Sequence, residues 1–200
     1  IAHFHYVLLG GVLLGLMAGL YFWFPKIFGR MPNAPVAYLG SALVILGFNL
    51  AFGPMHYLGL AGQPRRTHTY HAGNGWETWN YVATIGAYIL GIGVVIVFGN
   101  LVWTAFRGKK CGNDPWDGRT LEWSLPSPVP EYNFAQAPVV ATRDAFFEHK
   151  HGAKKIGLEN DGGEAGVHMP SQSWMPMLAS AGFLFIGFGM PMMAMGIPHA

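Results

Sequence analysis

The chain has 200 residues, of which 52% are hydrophobic and only 11% charged. Soluble chains carry roughly a quarter charged residues, so an ordinary soluble domain is excluded. A net charge of +2 with no basic stripe excludes a nucleic-acid partner, and a single cysteine, Cys111, excludes a disulfide framework or a multi-cysteine metal site within the chain.

Four stretches contain no Asp, Glu, Lys or Arg: 1–25, 31–64, 78–106 and 165–200. A helix needs about 20 apolar residues to cross a bilayer, and its backbone must be satisfied internally. The expectation is an all-α, polytopic transmembrane bundle with helices near 1–25, 35–58, 77–106 and 173–197. Pro25 and Gly29 are expected to end the first helix. Pro32 and Pro35 open the second, and Pro54 kinks it near its end. The chain starts and stops in apolar pattern and reads as part of a longer membrane protein, with the first helix extending upstream of Ile1.

Lys26 and Arg30 follow the first helix, and Arg107, Lys109 and Lys110 follow the third. By parity these ends share one side, which the positive-inside rule makes cytoplasmic. Arg65 and Arg66 then fall on the outer side, an exception that needs a reason. Gly11, Gly15 and Gly19 form a small-residue ridge suited to helix packing. Asn49 and Asn100 read as interhelical hydrogen-bonders.

The organisation is three core helices over 1–107, a polar segment over 108–172 and an additional helix over 173–197. The polar segment opens on a turn, Asp114-Pro115-Trp116-Asp117-Gly118. Pro126, Pro128 and Pro130 predict an extended strip. Trp116, Trp123, Tyr132 and Phe134 supply apolar anchors that order it on the cytoplasmic face. A short surface helix is expected from about 143, followed to about 165 by a Gly-rich linker.

Ionisable residues inside a span are functional candidates. His3 and His5 stand two apart, so on a helix they are about 200° apart. One metal ion cannot easily take both. Two cofactors, one on each side, fit the spacing, and imidazole is a common haem ligand. Two irons so held lie roughly 13–16 Å apart, with Phe4 towards the gap between them. Interhelical hydrogen bonding or a transport site are the other readings of this pair. Arg65 and Arg66 fall on the same membrane side as the start of the first helix. Arginine pairs well with carboxylates such as haem propionates; contact with lipid headgroups or a partner subunit is the plainer account. His56 reads as a core or interface residue and His68 and His71 as loop residues. His149, His151, His168 and His199 read as solvated or interfacial.

The segments AHFHYVLLGG, YFWFPKIFGRM, HYLGLAGQPRR and TWNYVATIGAYI, in this order and spacing, resemble the C-terminal helices of subunit I of the haem–copper respiratory oxidases, a subunit of twelve or more helices. DPWDGRTLEWSLPSPVPEYNF resembles the tail that follows those helices in bacterial members. RDAFFEHK, HMP and the last apolar run resemble extended or subunit III-fused bacterial forms.

The resemblance implies a catalytic subunit that reduces dioxygen to water with electrons from cytochrome c or a quinol and pumps protons. It implies that His3 is the proximal ligand of a high-spin haem, that His5 is one axial ligand of a low-spin haem, and that Phe4 lies between them. Arg65 and Arg66 would meet propionates. The haems would be a-type. The copper ligands, the second low-spin-haem histidine and the proton-channel residues belong to upstream helices in the family, so these 200 residues alone would be inactive. The implied partners are the rest of subunit I, subunits II and III, the electron donor and membrane lipid. The implied location is a bacterial inner membrane. Tyr6 resembles the cytochrome c oxidases more than the haem-o-type quinol oxidases, which tend to have Asn there. A di-haem electron-transfer cytochrome and a non-haem transporter or assembly protein are the competing readings.

Overall fold

The computed structural model describes residues 1–134, 138, 140, 142–152 and 173–194. Among the described residues, three helices are long and apolar enough to cross a membrane: α1 (Ala2–Phe28), the pair α2 (Ala34–Phe52) and α3 (Pro54–Leu60), and α4 (Glu77–Arg107). Two shorter helices follow in the tail, α5 (Ala145–His151) and α6 (Met175–Ala194). Among the described residues the bundle is helical apart from one ladder of two residues on each strand.

The first helix is not uniform. Ala2–His5 is α-helical, Tyr6–Leu13 is π-helical and Leu14–Phe28 is α-helical again. Its end is set by Gly29, which adopts φ +64° and donates its N–H to the Pro25 carbonyl at 2.8 Å. That left-handed stop is a glycine conformation. Pro25 itself lies inside the helix, contrary to the expectation that it would help end it. A proline disturbs the helical ladder around it. Here the Trp116 indole N–H, from the tail, donates at 2.9 Å to the neighbouring Phe22 carbonyl.

Asn33 caps α2, its side chain accepting from the Val36 N–H at 3.2 Å. The expected Pro54 kink is a break: α2 stops at Phe52 and α3 begins at Pro54. α2 packs against α4 along much of its length, and glycine makes that approach possible. A Cβ on Gly47 would overlap the Leu90 backbone, and one on Gly93 would sit 2.7 Å from the Val44 nitrogen. Met17, Phe24, Val44, Val97 and Leu101 form the core where the first helix joins this pair.

The Gly11, Gly15 and Gly19 ridge behaves differently from expectation. Added Cβ atoms at Gly11 and Gly15 would meet nothing within 4 Å, and one at Gly19 would meet only the Trp23 ring of its own helix. Gly11 lies in the π-helical stretch, so a ridge drawn at constant α-helical spacing is not a straight line here. Both asparagines bridge helices as expected. Asn100 donates to the Asn33 carbonyl at 3.1 Å and accepts from its N–H at 3.3 Å. Asn49 accepts from the Tyr6 hydroxyl at 2.9 Å.

Arg30–Met31 (β1) pairs antiparallel with Lys109–Lys110 (β2), Arg30 opposite Lys110. The ends of the first and third spans are thereby hydrogen-bonded together on one side, as parity requires. The tail folds over that side. Trp123 is 1% exposed and its ring meets Phe22 at 5.1 Å. Lys26 is 5% exposed rather than a loop charge. Its ammonium donates to the Asn113 carbonyl at 2.7 Å and the Leu125 carbonyl at 2.5 Å, and lies 5.3 Å from the Trp123 ring centre. The predicted turn is present: Gly118 N–H donates to the Asp114 carboxylate at 2.7 Å. α5 is the expected short helix. Lys150 fastens it to that turn through Asp114, Asp117 and the Gly118 carbonyl at 2.6–2.7 Å. The expected linker to about 165, together with His168 and His199, lies outside the described residues.

Candidate functional site

The site is built where the first helix begins. His3 and His5 occupy the α-helical turn just before the π-helical stretch, on an apolar span that satisfies its own backbone. Their surroundings differ. His3 is exposed, and so is Phe4, at 59%. His5 is half-buried against the second span.

The His5 ring has defined partners. Its Nδ1 lies 3.0 Å from the Ile1 carbonyl oxygen. A carbonyl only accepts, so Nδ1 carries the proton in this bond and Nε2 is left with the lone pair. That is the arrangement in which a carbonyl orients a ligating histidine. The ring face lies on Phe52, with centroids 4.3 Å apart and planes 12° from parallel. Next along the helix, the Tyr6 ring meets Phe48 at 4.7 Å and His56 at 5.3 Å.

Arg65 and Arg66 follow α3 and return to this end of the first helix. Ile1 and Ala2 share one cleft of 410 Å³ with Arg65, Arg66, Gln63 and Asn80, and no carboxylate lines it. Both arginines are exposed, and Arg66 holds φ +65°. A left-handed backbone at a residue other than glycine costs roughly 1–2 kcal/mol and is concentrated at functional positions. The cleft is therefore a cationic, partly apolar groove beside the histidine-bearing turn. It has the chemistry to take an anionic group whose remainder lies along the helix.

His56 is an interface residue, as read from the sequence; His68 and His71 are exposed in the loop. His151 meets Phe147 at 4.6 Å on α5, away from this site. Sequence reasoning missed Phe52, the π-helical stretch and the Arg66 backbone. For Phe52 a signal was present: Phe48 and Phe52 stand four apart, on one face of the second span. The other two have no composition signal.

Residues 1–89 match the family model described as cytochrome C and quinol oxidase polypeptide I. The chain is 42% identical over 200 residues to cytochrome c oxidase subunit 1 of Alkalihalophilus pseudofirmus, covering 99% of this chain and 32% of that protein. It is 44% identical over 191 residues to cytochrome c oxidase subunit 1 of a Bacillus species, covering 94% and 31%. It is 38% identical over 193 residues to quinol oxidase subunit 1 of Bacillus subtilis, covering 95% and 29%. The chain thus spans less than a third of the length of these relatives.

Proposed function

Because this chain belongs to the subunit I family of the haem–copper cytochrome c and quinol oxidases, we propose that it is part of the catalytic subunit of a terminal oxidase. That subunit would reduce dioxygen to water with electrons from cytochrome c or a quinol and couple the reaction to proton pumping. The observation that carries this reading is the histidine-bearing turn beside a carboxylate-free arginine cleft.

Haem iron, once bound, supplies electron transfer on one side of the helix and dioxygen binding on the other. His3 would hold the iron of the high-spin haem and His5 that of the low-spin haem. The residues fit. Nε2 of His5 is the free donor, because Nδ1 is committed to the Ile1 carbonyl. His3 and Phe4 lie on a part of the helix that this chain leaves exposed. Arg65 and Arg66 would neutralise propionates, and this accounts for two arginines on the side where the positive-inside rule disfavours them. One rigid helix carrying both donors fixes their separation. The haems are proposed as a-type, with copper bound by residues outside these 200.

The three core spans over 1–107 would form the haem-bearing part. The tail over 108–172 would close its cytoplasmic face, and 173–197 would add a fourth span. The rest of subunit I and subunits II and III are the proposed partners, in a bacterial inner membrane. The electron donor is proposed as cytochrome c or a quinol, since relatives of both kinds are similar to this chain.

The test is His3→Ala in the full-length protein. The carbon monoxide-reactive haem is lost while the low-spin spectrum persists. Loss of the low-spin signal alone overturns the assignment.

A further inference from the structure

The two contacts on the His5 ring do different things. The bond from Nδ1 to the Ile1 carbonyl, at 3.0 Å, holds one edge and sets the tautomer. It leaves the ring free to swing about that edge. The Phe52 ring, 4.3 Å away and 12° from parallel, lies against the whole face and stops the swing.

Phe52 is itself held. It is the last residue of α2, next to the Gly53–Pro54 break, and its ring meets Phe48 at 5.5 Å. Phe48 in turn meets Tyr6 at 4.7 Å, and the Tyr6 hydroxyl donates to Asn49 at 2.9 Å. Four residues of the second span, Phe48, Asn49, Phe52 and His56, thus grip two consecutive residues of the first. The π-helical stretch begins at Tyr6, so this grip spans the junction between it and the histidine turn.

We propose that Phe52 is a positioning residue for His5, fixing the plane of the imidazole and so the direction of its Nε2 lone pair. The inference rests on the reading of His5 as the low-spin haem ligand. It adds that the ligand plane is set from the neighbouring span and not by the histidine's own helix. Outer partners of metal-ligating histidines orient the ring in this way.

The experiment uses the full-length oxidase with its haems and compares Phe52→Leu, Phe52→Met, Phe52→Tyr and His5→Ala. Leu and Met remove the aromatic plate and keep the site apolar; Met also serves should the Leu variant fail to assemble. Tyr keeps the plate. The readouts are the electron paramagnetic resonance g-values of the oxidised low-spin haem and the carbon monoxide difference spectrum. The expected result is a shift or broadening of the low-spin g-values in the Leu and Met variants. Wild-type g-values return in Phe52→Tyr, and the carbon monoxide spectrum is unchanged throughout. A packing role alone would lower thermal stability and leave the g-values in place. Unmoved g-values in Leu and Met, with the low-spin haem lost in His5→Ala, overturn the role of Phe52 and leave the ligation reading standing. A low-spin haem that survives His5→Ala overturns the ligation reading and this inference with it.

Discussion

The Lys26 ammonium donates to the Leu125 carbonyl at 2.5 Å, joining the last turn of the first span to a tail residue 99 positions away. The same ammonium takes the Asn113 carbonyl. A cation near a helix C-terminus is favourable, and here it also satisfies backbone that the tail buries.

Lys26→Met is therefore expected to destabilise the tail over the helix end. It leaves the buried Leu125 carbonyl without its donor, an orphaned acceptor costing about 1–3 kcal/mol, while the Asn113 carbonyl keeps the Ser127 hydroxyl at 3.4 Å. Faster proteolysis or hydrogen exchange across residues 113–125 in the full-length protein reports the loss. Unchanged protection there would show that the lysine does not hold the tail.

The α2–α4 contact predicts a sharp contrast between glycines. Gly86→Leu places side-chain atoms against the Ala51 and Leu50 backbone, whereas a Cβ at Gly91 meets nothing within 4 Å. Overpacking costs about 1–3 kcal/mol. Gly86→Leu is expected to lower the thermal midpoint of the assembled protein, and Gly91→Leu to leave it near wild type. Equal effects would mean that the two helices do not approach at Gly86.

The arginine cleft makes an electrochemical prediction. Removing a positive charge near a redox centre destabilises its reduced form, by roughly 1–2 kcal/mol for a unit charge about 8–15 Å away at an effective dielectric of about 20. Arg66→Leu is expected to lower a haem midpoint potential by roughly tens of millivolts with ligation intact. Redox titration reads this directly. Potentials unmoved in both Arg65→Leu and Arg66→Leu would remove the propionate assignment.

Docking of α5 onto the 114–118 turn has a defined pH range. A hydrogen bond from Lys150, and its charge, hold the Asp117 carboxyl below its ordinary value of 3.8. Burial acts to lower the Lys150 ammonium, but hydrogen bonds to Asp114 and Asp117 outweigh it and raise it above 10.5. A depressed carboxylate contributes its stability above 3.8 and loses it as pH falls through the folded value. A raised ammonium contributes fully below 10.5 and loses it as pH rises through the folded value. Hydrogen-exchange protection of Ala145–His151 is thus expected to stay flat from about pH 5 to about pH 9. Lys150→Met should abolish it across that range. Protection that titrates near neutrality would assign the docking to other groups.

Much of this was legible in the residues. The spans follow from charge-free runs and the bilayer's demand that each backbone group be satisfied within its own helix. The opposite-face placement of His3 and His5 is an expectation from helical period alone. The Asp114–Gly118 turn was readable because Asp, Pro and Gly act locally. Three readings failed where the outcome depended on distant partners or backbone form. Pro25 stays helical, with the tail's Trp116 donating to the Phe22 carbonyl of its turn and Lys26 donating out to tail carbonyls. The Gly11 ridge is interrupted by a π-helical stretch, while Gly47, Gly86 and Gly93 make the close contact. Lys26, counted as a loop charge, is buried.

The sequence by itself determined where the chain becomes helical, which ends share a side and which residues carry imidazole and guanidinium chemistry near one end of the bundle. These depend on local hydrogen-bond satisfaction, helical period and side-chain chemistry, all properties of near neighbours. Only the tertiary structure decided that Phe52 faces His5, that Ile1 and Arg66 border one cleft, and that the tail supplies Lys26 with its acceptors. Those choices arise from packing between segments far apart in the chain, where many pairings have similar composition and close fit alone selects among them.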